Sequence, residues 1–369
     1  MQKKLIALAI ASAMTVPALA YAEASISGQA NMSIDNLNDG ATTASASAWQ
    51  LNSNQSRLII KGSEDLGDGM SAMFQLDSRF NLDTGTIGTT AATNTAKLFD
   101  GNTYVGVKSN FGTVMMGRID SPYKTSTRSL DVFFDVAGDN RAGVGAIGGL
   151  FTHENRFSNT IAYVSPAMSG FGIAAAAIFG GETPVANSTK GTGYSLNGTW
   201  KMDAFYAALA YESLKYGTNG TGDLGAAATC STTTICFDDT NSTFKLAGGW
   251  SADAFTLNAI IEMPSYKVGS GAESGAETTN TNFYLGGKFA FSATDAVKLA
   301  YTDKGDQEVK GGTTPGKLSN HTTQIAVGYD HSMSKATSVY ANYVKTSANN
   351  AAGTAADPSV LSLGMKHAF

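Results

Sequence analysis

Phe255-Thr256-Leu257-Asn258-Ala259-Ile260-Ile261-Glu262-Met263 is the stretch on which the reading of the fold turns. Phe255, Leu257, Ala259, Ile261 and Met263 alternate with Thr256, Asn258, Ile260 and Glu262, so an extended chain lays one apolar row along one face. Successive side chains of a strand point to opposite faces, and a period of two marks a strand that is apolar on one side only. The same period returns downstream, from Phe283 to Phe291, from Val297 to Tyr301 and from Leu361 to Phe369. The chain holds sixteen such segments, near 23–34, 56–64, 69–80, 98–109, 112–118, 155–165, 169–180, 191–201, 204–216, 241–251, 254–266, 281–291, 295–304, 321–331, 336–346 and 359–369. The segment 112–118 is the least regular, because Val114 and Met116 share parity with Arg118.

The connections alternate in length. Short turns recur at Glu64–Asp68, Ser109–Phe111, Pro166–Gly170, Lys201–Asp203, Ser251–Asp253, Ser292–Thr294 and Ser332–Lys335, and long loops rich in Gly, Thr, Asn and Ala fall between them. An even strand count, short turns at one rim and long loops at the other form the pattern of an antiparallel transmembrane β-barrel, with the turns periplasmic and the loops extracellular. The inward positions are small or polar, and sixteen strands leave an aqueous channel rather than a filled core. Trp200, Trp250, Tyr211, Tyr329 and Tyr343 fall near strand ends, where aromatic girdles belong.

Residues 1–22 read as a cleaved secretory leader: Lys3 and Lys4 precede an apolar run from Leu5 to Val16, and Ala20-Tyr21-Ala22 supplies the cleavage site. The barrel then occupies 23–369. Loss of that leader leaves 23 basic against 30 acidic residues, a net charge of −7, which argues against nucleic acid as a partner. Cys230 and Cys236 lie close together in a Gly/Thr-rich loop, and in an exported protein such a pair fits a small disulfide.

Between Arg118 and Arg156 lies a segment, about 119–155, without lasting period. Structureless connections of that length are uncommon and usually functional. It is expected to fold into the pore and narrow it. Asp131, Asp135, Asp139 and Glu154 are its candidate acids, opposite a basic wall of Arg57, Lys61, Arg79, Arg118 and Arg156. An Arg facing lipid at mid-depth costs about 2–4 kcal/mol, so these are expected to face water. Such a charged narrowing sets which ions and solutes pass.

Other motifs carry less. Gly143-Val144-Gly145-Ala146-Ile147-Gly148 matches a dinucleotide fingerprint in letters but lacks the preceding strand, following helix and acidic residue that give it meaning. His153, His321, His331 and His367 show no metal-ligand spacing, and no nucleophile elbow is present. No cofactor or metal is expected.

Several runs together resemble the general porins of the Gram-negative outer membrane: Ser56-Arg57-Leu58-Ile59-Ile60-Lys61-Gly62-Ser63-Glu64-Asp65-Leu66-Gly67, Asn110 to Arg118, Arg156 with Asn159 to Pro166, and Leu363 to the terminal Phe369. The resemblance implies a homotrimer of sixteen-stranded barrels, each with its third loop folded inward, set in outer-membrane lipid and lipopolysaccharide. It implies that Arg57, Arg118 and Arg156 belong to the basic pore wall, and that Phe369 is read by the barrel assembly machinery. The expected function is passive diffusion of ions and small hydrophilic solutes. A substrate-specific porin using Phe133, Phe134 and Phe151, and a barrel acting as an adhesin, are the alternatives. The arginine wall favours anions at the constriction, because the charge at the mouths is screened within about 8 Å at physiological ionic strength.

Overall fold

The computed structural model describes residues 23–41, 46–87, 97–141, 146–180, 191–217, 224, 240–267, 275–349 and 356–369. The expected leader and the Cys230/Cys236 pair lie outside the described residues.

Sixteen antiparallel strands close into a barrel. They are β1 (Glu23–Asn38), β2 (Ser47–Ser53 and Arg57–Gly67), β3 (Met70–Asn81), β4 (Thr103–Ser109), β5 (Gly112–Asp120), β6 (Arg156–Val164), β7 (Phe171–Phe179) and β8 (Thr192–Met202). β9 (Phe205–Lys215), β10 (Thr240–Ala252), β11 (Phe255–Lys267), β12 (Glu277–Thr279 and Asn282–Ala290) and β13 (Asp295–Lys304 and Gln307–Lys310) follow. β14 (Gly316–Leu318 and Thr322–Ser332), β15 (Thr337–Ala348) and β16 (Ser359–Ala368) complete the wall. Each strand pairs with its neighbour in sequence, and the ladder from Gln29↔Ala368 to Asn38↔Ser359 joins β1 to β16. At that seam Gly28 N donates to the Phe369 carbonyl at 2.8 Å, and Phe369 N donates to the Gly28 carbonyl at 3.1 Å. Closure leaves no free sheet edge, as a membrane interior without water requires.

The alternation read from the sequence sorts by side. Leu209, Leu246, Leu257, Leu299, Ile325 and Leu363 are exposed on the outside. Asn31, Ser195, Asn197, Thr243, Asn258, Asn342 and Ser362, the residues of opposite parity, are buried on the inside.

Two strand expectations need correction. β2 has a first segment, Ser47–Ser53, that the sequence reading did not assign. Gln55 adopts φ 58°, and the irregularity moves the outward positions from Trp49 and Leu51 to Leu58 and Ile60, so a single parity cannot join the halves. The fourth strand begins at Thr103, not 98, because the residues before it bind β3: Gly101 N donates to the Asp77 carbonyl at 2.9 Å and Arg79 N to Asp100 Oδ1 at 3.0 Å.

Candidate functional site: an inward loop and its charges

The connection from β5 to β6 turns into the lumen through a short helix, α1 (Pro122–Thr125), followed by a 3-10 turn, Arg128–Leu130. Pro122 opens the helix, where a missing N–H costs nothing, and the Ser121 hydroxyl accepts from Lys124 N at 3.2 Å. The loop then runs along the inner wall. Tyr123, fully buried, shares its hydroxyl with Thr243 at 2.9 Å and donates to Glu262 at 2.7 Å. Asn258 Nδ2 donates to the Leu130 carbonyl at 2.7 Å, and Val132 N donates to the Tyr284 hydroxyl at 3.1 Å. Further on, Asn31 Nδ2 donates to the Asp135 carbonyl at 2.7 Å, which ties the loop to β1.

Packing supports these bonds. Leu130, Phe133, Ile147 and Phe151 form one apolar cluster with Ile260, Tyr284 and Tyr340 of the wall. Gly138, at φ +99°, lies so close to the wall that a Cβ there would stand 2.8 Å from the Ala326 methyl, so both conformation and space call for glycine. Phe133 and Phe151 are spent in this cluster, which leaves Phe134 as the partly exposed member of the three aromatic candidates.

The four candidate acids are tied to partners in the loop and on the barrel wall. Asp131 accepts from the backbone N–H groups of Phe133 and Asn140, both at 2.8 Å, and from the Tyr284 hydroxyl at 3.2 Å. Burial, with Asp139 nearby, raises its carboxyl well above the usual carboxylate range. Asp135 is ion-paired to Arg57 and to Arg141, the latter at 2.9 Å, and these charges hold its carboxyl low against the cost of burial. Asp139 pairs with Arg141 and accepts from Asp135 N at 2.8 Å. Glu154 pairs with Lys245 of β10, and burial pushes its carboxyl up. These acids brace the loop instead of standing free in the lumen.

At the loop's root a second cluster gathers on Asp120. Lys124 Nζ lies 2.9 Å from it, Arg156 Nη2 3.0 Å and Arg128 Nη1 3.1 Å. The sequence reading missed Asp120, Lys124, Arg128 and Arg141, although the first three recur every fourth residue, the spacing of neighbours on one helix face. Arg128 keeps a side chain 33% exposed, against 9% for Arg141. The two guanidinium groups flank the Phe134 ring, at 4.9 and 4.3 Å from its centre.

The basic wall divides. Arg57 and Arg79 stand opposite each other across β2 and β3, and Arg156 reaches Asn102 Oδ1 at 3.1 Å beside them. Lys61 lies elsewhere on the same wall, below this group in a separate recess. Arg118, expected in the lumen, is on the outer face. Its neighbour Ile119 joins the inward cluster with Ala162 and Ala176, while Arg118 lines an outer cleft with Met116, Ile161 and Phe179. It donates to the Asp100 carbonyl and to Ser158 Oγ, both at 3.0 Å. It is near the extracellular end of β5, where an outward cation costs only about 0–1 kcal/mol.

A closed barrel, apolar outside and polar within, with one loop folded inward to a charged narrowing, defines an outer-membrane channel. The chain belongs to the Gram-negative porins, whose family model matches residues 7–351. It is 25% identical to the major outer membrane protein P.IB of Neisseria gonorrhoeae over 348 residues, covering 92% of this chain and 91% of that protein. It is 24% identical to an outer membrane porin protein of Bordetella pertussis, over 86% of this chain and 83% of that one. The fold is shared with an anion-selective porin from Comamonas acidovorans at a TM-score of 0.70 and 20% identity, covering 94% of this chain and 100% of that chain. The protein is therefore an outer-membrane porin.

Proposed function

We propose a passive channel that admits small hydrophilic solutes and prefers anions. The observation that carries this reading is the asymmetry of charge at the narrowing. Arg57 and Arg141 balance Asp135 and Asp139, Lys245 balances Glu154, and Asp131 faces backbone N–H groups, whereas Lys124, Arg128 and Arg156 share the one carboxylate of Asp120, with Arg79 beside Arg156 and Arg57. Arginine keeps its charge at any physiological pH. The overall negative charge acts mainly at the mouths, where salt screens it within about 8 Å. The Comamonas porin that shares this fold is anion-selective, which points the same way.

The working unit is a homotrimer. β4 has only 7 residues, whereas a tilted transmembrane strand needs roughly 9–11 to cross the hydrocarbon. A neighbouring barrel against β4 shields what lipid would leave mismatched. Residues 1–22 serve as a cleaved leader, and lipopolysaccharide and the barrel assembly machinery, the latter reading Phe369, are its partners in the membrane.

Conductance of the purified protein in a planar bilayer under a KCl gradient tests the reading. Ohmic steps grouped in threes, with a reversal potential of the sign set by chloride, are expected. A potential set by potassium overturns the anion preference, and absence of steps from folded protein overturns the open channel.

A further inference from the structure

Below the constriction, on the wall formed by β1 to β4, lies a recess of about 480 Å³ that the inward loop does not touch. Lys61 of β2 and Lys108 of β4 project into it, with Ser63, Ser71, Gln75 and Tyr104 between them. Register fixes their relation. Lys61 stands opposite Gln75, Gln75 opposite Tyr104, and Ser71 opposite Lys108. The two lysines are thus two strands apart and four residues offset, which separates their Cα atoms by about 16 Å at ordinary strand spacing and rise. Lys61 is four residues from Arg57 along β2, about 13 Å towards the periplasmic end.

Neither ammonium has an ion-pair partner among the described residues, in contrast to Lys124, Lys245 and Lys298, which are each paired with a carboxylate. Glu23 at the lower edge of the recess is paired with neither. The hydroxyl of Tyr104 donates to Gln75 Oε1 at 3.4 Å, a long bond that a carboxylate oxygen would displace. Two cations held apart, with hydroxyl and amide groups between, match two anionic groups on one small molecule better than one compact anion. A single phosphate cannot meet both ammonium groups without drawing the side chains together.

We propose that this recess is a subsite for small dicarboxylates, placed after the constriction on the periplasmic side and loaded by the anions that the arginines admit. It rests on the reading of the protein as an open anion-preferring channel, and one recording separates the two. With channels conducting in KCl, succinate is titrated into the periplasmic-side chamber and the current blockade is measured, with acetate as the monoanion control. Succinate is expected to produce saturable blockade and acetate none. Lys61→Gln and Lys108→Gln are each expected to weaken the apparent affinity by about three- to five-fold, the scale of one exposed charge contact, with the KCl steps retained. Arg57→Ser is expected to change KCl selectivity while leaving saturable succinate blockade in place. Equal blockade by acetate, or an unchanged succinate affinity in the double lysine variant, overturns the subsite. Loss of KCl steps in the unmodified protein overturns the channel reading instead.

Discussion

Arg156 and Arg118 flank the same pair of strands and face different surroundings. Arg156 lies 3.0 Å from Asp120 at the root of the inward loop, and Arg118 looks outward beside Met116 and Ile161. Arg156→Ser is therefore expected to move the reversal potential towards the cation value, and Arg118→Ser to leave it where it was. A shift in the Arg118 variant, measured under the same KCl gradient, contradicts the outward placement. Lys124 supplies a pH test. Its burial lowers the ammonium to about 8 despite the pull of Asp120. Above that pH the root cluster loses one positive charge, so anion preference should weaken as pH rises from 7 to 9, and Lys124→Gln should flatten the dependence. The sign for stability follows from linkage. The folded pKa is below the ordinary 10.5, so between about 8 and 10.5 the unfolded chain binds more protons and stability rises with pH. A denaturation midpoint that rises no more across that window in the unmodified protein than in Lys124→Gln contradicts the shift.

The inward loop is an element with its own core, and that core governs how still the constriction is. Phe133 is fully buried, packed with Leu130 and Phe151, and the Lys298 ammonium lies 4.6 Å from its ring centre. Truncating a buried Phe to Ala typically costs about 3–5 kcal/mol, and here the barrel wall is largely independent of the loss. Phe133→Ala should yield a barrel that folds but flickers, with larger solutes admitted in a liposome-swelling assay; quiet channels with an unchanged size limit contradict the anchoring role. Legibility differed between wall and loop. Strand parity was readable wherever the ladder was regular, because period two is a local property of the chain. It failed at β2, where Gln55 resets the parity, and Arg118 was misplaced although it shares parity with Val114 and Met116. The mid-depth penalty for an outward Arg does not reach this residue, which stands at the rim. In the loop the presence of charge was readable, but its pairing depends on a tertiary path: Asp135 meets Arg57 only because the loop crosses the lumen to β1 and β2.

At the scale of the whole barrel, the outer surface is not uniform around its circumference. Strands β8 to β11 have 11 to 13 residues, and aromatic rings pair between strands, as in the Tyr211–Phe244 pair at 4.5 Å and, at the turn end of β11, the Phe255–Phe289 stack at 4.7 Å with β12. Lengths of this kind cross the hydrocarbon unaided, and rings at the interface hold the depth. β4, with 7 residues, is shorter than the roughly 9–11 that a tilted transmembrane strand needs. One substitution placed on each side should separate these roles. Val105 of β4 and Leu209 of β9 are both apolar and outward, 56% and 59% exposed on the isolated chain. Leu209→Arg puts a guanidinium against lipid, where the midplane penalty of about 2–4 kcal/mol lowers folding yield without touching a subunit contact. Val105→Arg puts the same group into the proposed contact between barrels, so the folded chain should run as a monomer on non-denaturing electrophoresis while the Leu209 variant that does fold stays trimeric. If both variants stay trimeric, or if Leu209→Arg is the one that yields monomers, β4 does not face a neighbouring subunit, and its short span must be met by thinning of the bilayer around it.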